Sequence, residues 1–387
     1  MLLAVATIYF FLQDYRSAVS PVELNPADDV VALTAALVRA ESVSGNEESL
    51  ANAIETLLRE VPWLEVSRYK NNVVAQTNLG RKSRIILAGH IDTVPIADNL
   101  VATVINAGDT LPSDGTVVSE DVLFGLGSCD MKGGVAVALR AALTVAEPVF
   151  DVTYLFYECE EVDSARNGLT HIAKDHPEWL AADIAILLEP SNANIEAGCQ
   201  GTLRAVVKTT GVRAHSARSW MGENAIHGLA DAIARLNAYE PQVVAVEGLE
   251  YREGLNAVGI SGGVAGNVIP DQATLEVNYR YAPSTSAADA EAHVRDVFAG
   301  YLVEFVDNAA GALPGLEREA LQSLIAKVDG QVAPKFGWTD VARFSAMGVP
   351  AVNMGPGDPS LAHSRNEHVP VAQLIRCEEL VLSWLRG

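Results

Sequence analysis

The amino-acid sequence predicts an α/β domain with a mixed sheet and a smaller α+β domain inserted into it. The chain has 387 residues, which is more than one ordinary hydrophobic core needs, so two domains are expected. Short, nearly continuous apolar runs alternate with helical patterns over most of the chain, as in strands that are covered on both faces. Between about residues 201 and 311 the strands instead alternate polar and apolar positions, as in a sheet with one solvated face.

The predicted boundaries place the larger domain at residues 25–200 and 312–387 and the inserted domain at residues 201–311. Residues 1–24 form an extension that belongs to neither. Its apolar stretch is shorter than the ~20 residues of a membrane span, and no basic residue precedes it, so we expect no signal peptide. The first helix is expected to begin with Asn25 as N-cap and Pro26 as its first residue.

Apolar runs predict the buried strands of the larger domain, at residues 84–89, 152–157 and 183–188. Each run is followed by a side chain that can bind a metal: His90, Glu158 and Glu189. A helix is predicted at residues 134–146, and a fourth apolar run at residues 349–354 leads to His363. Ligands of open α/β sheets bind beyond the carboxyl ends of the strands, so these side chains mark the predicted site.

The inserted segment has its clearest strand at residues 274–281. Alternation puts four apolar side chains on one face, namely Leu275, Val277, Tyr279 and Tyr281, and three polar ones on the other, namely Glu276, Asn278 and Arg280. Helical patterns cover residues 224–236 and 287–299. Strands with one polar face combined with helices are typical of a small α+β domain.

Composition excludes several classes of partner. The chain carries 27 basic and 49 acidic residues, with a formal net charge of -22. Proteins that neutralise phosphates concentrate lysine and arginine, so nucleic acid is not expected as a partner, and no membrane partner is expected either. Four widely spaced cysteines without a CxxC pair are typical of reduced thiols in a cytoplasmic protein.

Two motifs near the predicted strand ends suggest a metal site. His90 and Asp92 stand two residues apart, so both side chains point the same way, as in a metal-bound imidazole that a carboxylate orients. A buried His–Asp pair is also a common structural arrangement. The glycine-rich loop at residues 125–134 lacks the third glycine of a dinucleotide site and carries Asp130, which would repel phosphate. It is either an ordinary tight turn or a backbone wrapped around a cation.

Acidic residues follow the other two strands. Glu158, Glu160 and Glu161 lie within four residues, and such closely packed carboxylates are unfavourable unless a cation or a proton compensates them. A solvated acidic loop is the alternative. Glu189 stands at the next strand end, and His363 precedes an amphipathic C-terminal helix. Two histidines and several carboxylates at strand ends form the mixture of nitrogen and oxygen donors that suits zinc.

In these motifs the chain resembles the M20 family of metallopeptidases and deacylases. The resemblance runs from about Asp29 to the C-terminus through the segments GHIDTVP, GLGSCDMKGG, ECEE, EPS and AHSRNEHV, in family order. The segments GCQGTLR, GVRAHSARSW, GGVAGNVIP and KFGWTDVARFSAMGVPAVNMGPGDP resemble a subgroup of actinobacterial enzymes that remove succinate from N-succinyl-LL-2,6-diaminopimelate. The family resemblance implies a zinc-exopeptidase-like catalytic domain and a ferredoxin-like inserted domain that serves as a lid and in dimerisation.

The resemblance also implies a role for each site residue. Two divalent cations per subunit are expected, zinc first and cobalt or manganese as alternatives. His90 and Glu189 would bind one cation, Glu161 and His363 the other, and Asp130 both. Asp92 would support His90, Glu160 would be the general base, His215 would reach the scissile carbonyl, and Arg280 and Asn267 would contact the substrate. A cis peptide bond is expected between Asp130 and Met131, and no role is implied for Arg365 or Glu367.

The implied function is hydrolysis of a small N-acyl amino acid, N-succinyl-LL-2,6-diaminopimelate, to succinate and LL-2,6-diaminopimelate, on the route to lysine. A homodimer is expected, with His215 acting on the partner's site. Another deacylase of the family, such as an acetylornithine deacetylase or an aminoacylase, would share the ligands. The complete set of expected ligands together with Glu160 argues against a non-catalytic binding protein. A serine hydrolase is disfavoured because Ser216 and Ser364 stand beside histidines that have other expected roles.

Overall fold

The computed structural model describes residues 22–328 and 331–387. The predicted N-terminal extension lies outside the described residues, apart from residues 22–24. The α-helices are α1 (Val30–Arg39), α2 (Glu48–Arg59), α3 (Gly133–Thr144), α4 (Gly168–Asp175), α5 (Ala225–Gly228), α6 (Ala230–Asn237), α7 (Ala287–Val297), α8 (Glu319–Lys327), α9 (Val341–Ala346) and α10 (Val371–Arg386). The β-strands are β1 (Glu65–Tyr69), β2 (Asn72–Gln76), β3 (Arg84–His90), β4 (Thr103–Ile105), β5 (Val122–Phe124), β6 (Asp151–Tyr157), β7 (Ile184–Pro190), β8 (Ile195–Ala197), β9 (Gly201–Thr210), β10 (Ala214–His215), β11 (Val243–Val246), β12 (Leu249–Arg252), β13 (Gly254–Gly262), β14 (Val268–Ile269), β15 (Gln272–Tyr281), β16 (Leu302–Ala309), β17 (Val332–Pro334), β18 (Ala351–Gly355) and β19 (His368–Pro370).

An eight-stranded sheet forms the centre of the larger part of the chain, in the order β1-β2-β6-β3-β7-β18-β8-β17. The strands β6, β3, β7 and β18 are parallel to one another, β2 pairs antiparallel with β6, and β1 pairs antiparallel with β2. These four parallel strands correspond to the apolar runs of the sequence. The prediction of an α/β fold with a mixed sheet is therefore confirmed, and the carboxyl ends of the four strands meet at one edge.

Both faces of the central sheet are covered, which explains why its strands are continuously apolar. In β3, Ile85 and Leu87 belong to one core, which includes side chains of α1, α3 and α10. Ile86 and Ala88 belong to a second core, with side chains of α4 and α9. Successive side chains of a strand point to opposite faces, so every position of β3 after Arg84 is buried on one side or the other.

The first helix of the described residues begins later than the sequence predicts. α1 starts at Val30 with Asp29 as N-cap, and the Asp29 carboxylate accepts hydrogen bonds from two backbone N–H groups of the first turn. The side chain of Asn25 accepts from the N–H of Ala27 instead, which makes a turn around Pro26. The predicted cap at Asn25 was wrong, because asparagine before proline stabilises a turn as well as a helix start.

A separate four-stranded antiparallel sheet lies within residues 201–311, in the order β13-β15-β9-β16. In β15, Leu275, Val277, Tyr279 and Tyr281 are buried in a core shared with α6 and α7, and the intervening positions are exposed or half-buried. The alternating strand therefore has the predicted orientation. The boundaries of the inserted domain and its lid and dimerisation functions stay predictions.

The predicted helix at residues 224–236 is two consecutive short helices. The side chain of Asn224 caps α5, which ends at Gly228, and α6 starts at Ala230. Glycine is the weakest helix former apart from proline, so the break falls where the local propensity is lowest. None of the helices in the described ranges combines the length and the apolar character that a membrane-spanning helix needs.

Candidate active site

The predicted site residues gather at the carboxyl edge of the parallel strands. His90 ends β3, Glu189 lies at the end of β7, and Glu160 and Glu161 follow β6. His363 lies in the segment between β18 and β19, and its φ of 61° falls in the left-handed region that non-glycine residues rarely adopt. Backbone strain of this kind concentrates at functional sites, where neighbouring structure holds it in place.

His90 is buried and faces three carboxylates, two at Nε2 and one at Nδ1. Its Nε2 lies 3.1 Å from Oδ1 of Asp130 and 3.9 Å from Oε1 of Glu189. Its Nδ1 lies 3.1 Å from the carbonyl oxygen of Asp92 and 3.4 Å from Oδ1 of the same residue. Asp92 therefore fixes the ring from behind, which leaves Nε2 directed at the acidic cluster.

Asp130 divides its two carboxylate oxygens between the two histidines. Oδ1 faces His90, and Oδ2 lies 3.4 Å from Nε2 of His363, which also lies 2.9 Å from Oε1 of Glu161. Asp130 thus stands between one pair, His90 with Glu189, and a second pair, His363 with Glu161. The peptide bond between Asp130 and Met131 is cis, so that prediction is confirmed.

Asp92 also holds the loop that carries Glu160 and Glu161. Its Oδ1 accepts a hydrogen bond from the N–H of Glu160 at 3.0 Å, and its Oδ2 accepts from the N–H of Glu161 at 3.1 Å and from the hydroxyl of Ser44 at 2.7 Å. One buried carboxylate therefore orients the His90 imidazole and places the backbone of both glutamates. Sequence reasoning gave Asp92 only the contact with His90.

Burial and like charges shift the pKa values of the acidic residues. Burial, together with the charge of Asp130, raises the pKa of Glu189 to about 8. Burial and the charge of Asp340 raise the pKa of Glu160 well above its ordinary value. Hydrogen bonds with Asp130 and Glu161 raise the pKa of His363 to about 10. The carboxylates of the cluster therefore carry more negative charge than protonation of its two imidazoles can neutralise.

The donor set of the cluster fits divalent cations. His90, Asp130 and Glu161 each offer one ligand atom, and the three atoms lie within 4.8 Å of one another. Imidazole nitrogens with carboxylate oxygens are the ligands that zinc and related cations take in proteins. A metal-bound imidazole must be neutral, so a cation at this position would displace the proton that the carboxylates stabilise on His363.

Glu158 stands apart from the two glutamates that follow it. It is buried beside Glu47, and its Oε1 accepts a hydrogen bond from Asn72 at 3.4 Å. Burial and the nearby charge of Glu47 raise the pKa of Glu158. Glu47 accepts hydrogen bonds from the N–H groups of Gly45 and Cys159, at 2.8 and 3.2 Å. This pair packs behind the loop of Glu160 and does not face the histidines.

Glu367 has a structural position that sequence reasoning missed. It is buried, and its Oε1 accepts hydrogen bonds from the N–H groups of Cys129 and Asp130, both at 3.0 Å. Burial raises its pKa to about 7. The carboxylate thus holds the backbone on which Asp130 is mounted, across 237 residues of chain. The only sequence signal is its place four residues after His363, in a polar run that resembles a solvated loop.

The structure does not bring the predicted residues of the inserted domain into hydrogen-bonding contact with this cluster in the described chain. His215 is exposed at the end of β10, and its Nδ1 accepts a hydrogen bond from the N–H of Ala217 at 3.1 Å. The carbonyl of Asn267 accepts from the N–H of Ser216 at 2.9 Å, so the loops of His215 and Asn267 are neighbours. Arg280 is half-buried and donates from Nε to Oδ1 of Asn278 at 3.2 Å.

A cavity of about 860 Å³ begins at Glu160 and Glu161, and we call it the Glu160 cleft. It is lined by the loop from Glu160 to Ala165, by Trp338 and Arg343, and by Thr202, Arg204 and residues 306–309 of the inserted sheet. Its volume is within the range of small-molecule sites, roughly 300–1,000 Å³. The cleft therefore has room for a substrate that reaches from the acidic cluster to the face of the inserted sheet.

Comparison with known proteins agrees with this geometry. The sequence model of peptidase family M20/M25/M40 matches residues 86–386. A Mycobacterium tuberculosis protein that carries the name succinyl-diaminopimelate desuccinylase is 51% identical over 367 residues, which cover 94% of this chain and 100% of that protein. The succinyl-diaminopimelate desuccinylase of Corynebacterium glutamicum is 47% identical over 378 residues, covering 94% of this chain and 99% of that protein.

Solved structures share the fold at lower identity. A tripeptidase from Staphylococcus aureus superposes with a TM-score of 0.72 at 21% identity, covering 94% of this chain and 98% of that chain. A metallo-carboxypeptidase from Sulfolobus solfataricus gives a TM-score of 0.69 at 16% identity, covering 93% and 99%. At these identities the likeness shows the architecture alone.

Proposed function

The chain belongs to peptidase family M20/M25/M40, and on that premise we propose that it hydrolyses N-succinyl-LL-2,6-diaminopimelate to succinate and LL-2,6-diaminopimelate. The observation that carries the proposal is the pair of relatives at 51% and 47% identity over nearly their whole length, both named for this reaction. Hydrolysis by a metal-activated water is also supported by the cluster of predicted site residues, namely His90, Asp92, Asp130, Glu160, Glu161, Glu189 and His363. The product would serve the synthesis of diaminopimelate and lysine.

Two divalent cations per subunit fit the cluster, with zinc as the first choice and cobalt or manganese as alternatives. His90 and Glu189 would hold one, His363 and Glu161 the other, and Asp130 would contact both through its two oxygens. Three ligand carboxylates against two dications leave the centre about one charge positive, which favours a bound anion. The raised pKa values of Glu189 and His363 are consistent with ligands that require a compensating cation.

The proposed reaction combines activation of a water by the cations with proton transfer by Glu160. Cations at this centre would lower the pKa of the attacking water and polarise the scissile carbonyl. Glu160 accepts the proton of the water, and the water oxygen attacks the amide carbon. The carbon–nitrogen bond then breaks as Glu160 returns the proton to the leaving amine nitrogen. Burial raises the pKa of Glu160, so the carboxyl group holds the proton until the nitrogen takes it.

His215 is suited to stabilise the oxyanion as a neutral donor. Its Nδ1 accepts the N–H of Ala217, so the proton of the neutral ring lies on Nε2. An Nε2–H group can donate to the oxygen that gains charge when the carbonyl is attacked. Because His215 is exposed and separate from the cluster of its own chain, we propose that it acts on the cluster of the partner in a homodimer.

Arg280 and Asn267 are proposed substrate contacts of the inserted domain. Arg280 lies on the polar face of β15, and Asn267 lies on the loop beside His215. The four cysteines are buried and unpaired, which supports the cytoplasmic location that the sequence predicts.

The test is an assay of purified protein with N-succinyl-LL-2,6-diaminopimelate, N-acetylornithine and a panel of N-acetyl amino acids, after loading with zinc, cobalt or manganese. Release of succinate with the highest kcat/KM of the panel would support the proposal. Faster hydrolysis of N-acetylornithine or of an N-acetyl amino acid would replace it by the corresponding deacetylase. The metal content of the active form, measured by elemental analysis, tests the two-cation assignment.

A further inference from the structure

Two guanidinium groups of the described chain line the Glu160 cleft, and that of Arg204 has the fewer contacts with the protein. Arg204 lies in β9 with its side chain 60% exposed, and its Nε is 3.8 Å from Oδ2 of Asp307, beyond hydrogen-bonding distance. Among the described residues no hydrogen bond from its guanidinium is formed. An exposed ion pair of this kind contributes little, so the five donors of Arg204 remain available to a ligand.

Arg343, the other guanidinium on the cleft wall, is already engaged. Its Nε binds the buried carboxylate of Asp340, and its Nη1 donates to the hydroxyls of Ser164 and Thr170 at 2.8 and 3.0 Å. Its plane also packs over the ring of Trp338, 5.2 Å from the centroid. The guanidinium of Arg343 is therefore occupied by protein groups of the cleft wall, whereas that of Arg204 faces the open cleft.

The cleft has an excess of acidic groups near the reaction centre, with Glu160, Glu161, Asp163 and Asp307 among its lining residues. A substrate with several carboxylates needs positive partners to bind in such a cleft, because the acidic side chains of its wall repel like charges. The cations of the metal centre can serve the scissile end only. A carboxylate farther along the substrate would need a different positive partner. The planar guanidinium of an arginine matches the planar geometry of a carboxylate.

We propose that Arg204 is a specificity-determining residue, which binds a substrate carboxylate remote from the scissile amide. The inference rests on the proposed function, because it supplies a recognition group for the polyanionic substrate named there. On β9 the neighbouring Thr202 lines the same wall, and its hydroxyl accepts a hydrogen bond from Asn278 at 3.2 Å. That hydroxyl retains its own proton for the carboxylate that Arg204 binds.

The test compares the Arg204→Ala variant with the wild type on two substrates, the N-succinyl and the N-butyryl derivatives of LL-2,6-diaminopimelate. The butyryl group has the length of the succinyl chain without its carboxylate. Loss of a hydrogen-bonded charge pair should lower kcat/KM about 10- to 100-fold, mainly through KM. A loss confined to the succinyl substrate assigns Arg204 to the acyl carboxylate. An equal loss with both assigns it to a carboxylate of the diamino acid.

Two controls separate a local contact from general charge. Arg213→Ala removes an equally exposed guanidinium that pairs with Asp271 at 2.8 Å outside the cleft, and it should leave KM unchanged. Asp307→Asn removes the carboxylate beside Arg204 and should not raise KM. Unchanged kcat/KM in Arg204→Ala, or an equal effect of Arg213→Ala, would overturn the proposal.

Binding of the two products by calorimetry keeps the inference distinct from the proposed function. Succinate and LL-2,6-diaminopimelate are titrated into the cation-loaded wild type and the Arg204→Ala variant. One of the two should bind about tenfold or more weakly to the variant. If the wild type hydrolyses neither acyl substrate, the proposed function fails, and product binding still decides the role of Arg204. Equal affinities for both products in the two proteins would then refute it.

Discussion

At the scale of single residues, Asp92 connects the His90 imidazole with the loop of Glu160 and Glu161. Three polar groups converge on its carboxylate: the N–H groups of Glu160 and Glu161 and the hydroxyl of Ser44. The same residue meets Nδ1 of His90. The proposed ligand His90 and the proposed general base Glu160 are thus both held by one buried carboxylate, which agrees with the importance of hydrogen bonds behind metal ligands.

Replacing Glu160 with glutamine should leave both cations bound and lower kcat about 10²-fold or more. The amide cannot accept the proton of the water, whereas the proposed ligands are untouched. Steady-state kinetics and elemental analysis of the same sample measure the two effects. Glu161→Gln is the matched control, because it removes a proposed ligand one residue away and should lower the metal content. Loss of metal in Glu160→Gln alone would mean that the two glutamates have exchanged roles.

Glu367 gives a second prediction, since it holds the backbone of Asp130 without being a ligand. Glu367→Ala removes the acceptor of two N–H groups, which should lower cation affinity about 10- to 100-fold, as loss of other residues behind metal ligands does. Glu367→Gln keeps an oxygen at Oε1 and should retain most of the affinity. Competition with a chelator measures both dissociation constants. Equal affinity of Glu367→Ala and the wild type would exclude this positioning role.

At the scale of elements, the sequence predicted the strands better than the helix starts. The four parallel strands were predicted because burial on both faces leaves a continuous apolar run, as in β3. The cap at Asn25 was wrong because a turn and a helix start use the same side-chain hydrogen bond, and only the fold selects Asp29. Glu367 was missed because its burial depends on a contact 237 residues away.

The packing of α3 against β7 supports the position of Glu189. A Cβ added to Gly134 would lie 2.0 Å from the carbonyl oxygen of Leu188 and 2.7 Å from its Cβ. Gly134→Ala should therefore push the helix from the strand and destabilise the protein by about 1–3 kcal/mol, in spite of the better helix propensity of alanine. Urea unfolding measures the change in the free energy of unfolding.

Gly228→Ala is the matched control for this substitution. Gly228 also lies in a helix, but a Cβ there would meet its nearest atoms at 3.5 Å, an ordinary van der Waals distance. This variant should be neutral or more stable by up to about 1 kcal/mol. If Gly134→Ala were as stable as Gly228→Ala, close packing of α3 on the strand would not be what requires glycine at residue 134.

At the scale of the whole molecule, the position of His215 decides how many chains make one site. In the described chain His215 is exposed, and its side chain hydrogen-bonds only with its own loop, through the N–H of Ala217. If it reaches the cluster of a partner, each site of the homodimer is built from two chains. The family resemblance predicted this arrangement, and mixing of inactive variants can test it.

The mixed pair is a Glu160→Gln chain and a His215→Ala chain, each nearly inactive as a homodimer. If His215 acts in trans, one site of the heterodimer combines both defects, and the other has an intact Glu160 and an intact His215. Activity should then reappear when the two variants are unfolded, mixed and refolded together. The specific activity of the mixture, measured against each variant refolded alone, gives the result.

The control is a double variant that carries both substitutions in one chain, mixed with the wild type. If His215 acts in trans, each site of that heterodimer has one defect, because each takes its histidine from the other chain, and the heterodimer should be inactive. If His215 acts in cis, the wild-type chain keeps a complete site, whereas the first mixture restores nothing. The two heterodimers therefore give opposite results under the two arrangements, once the activity of wild-type homodimers in the second mixture is subtracted. A protein that stays monomeric in sedimentation would exclude the arrangement in trans directly.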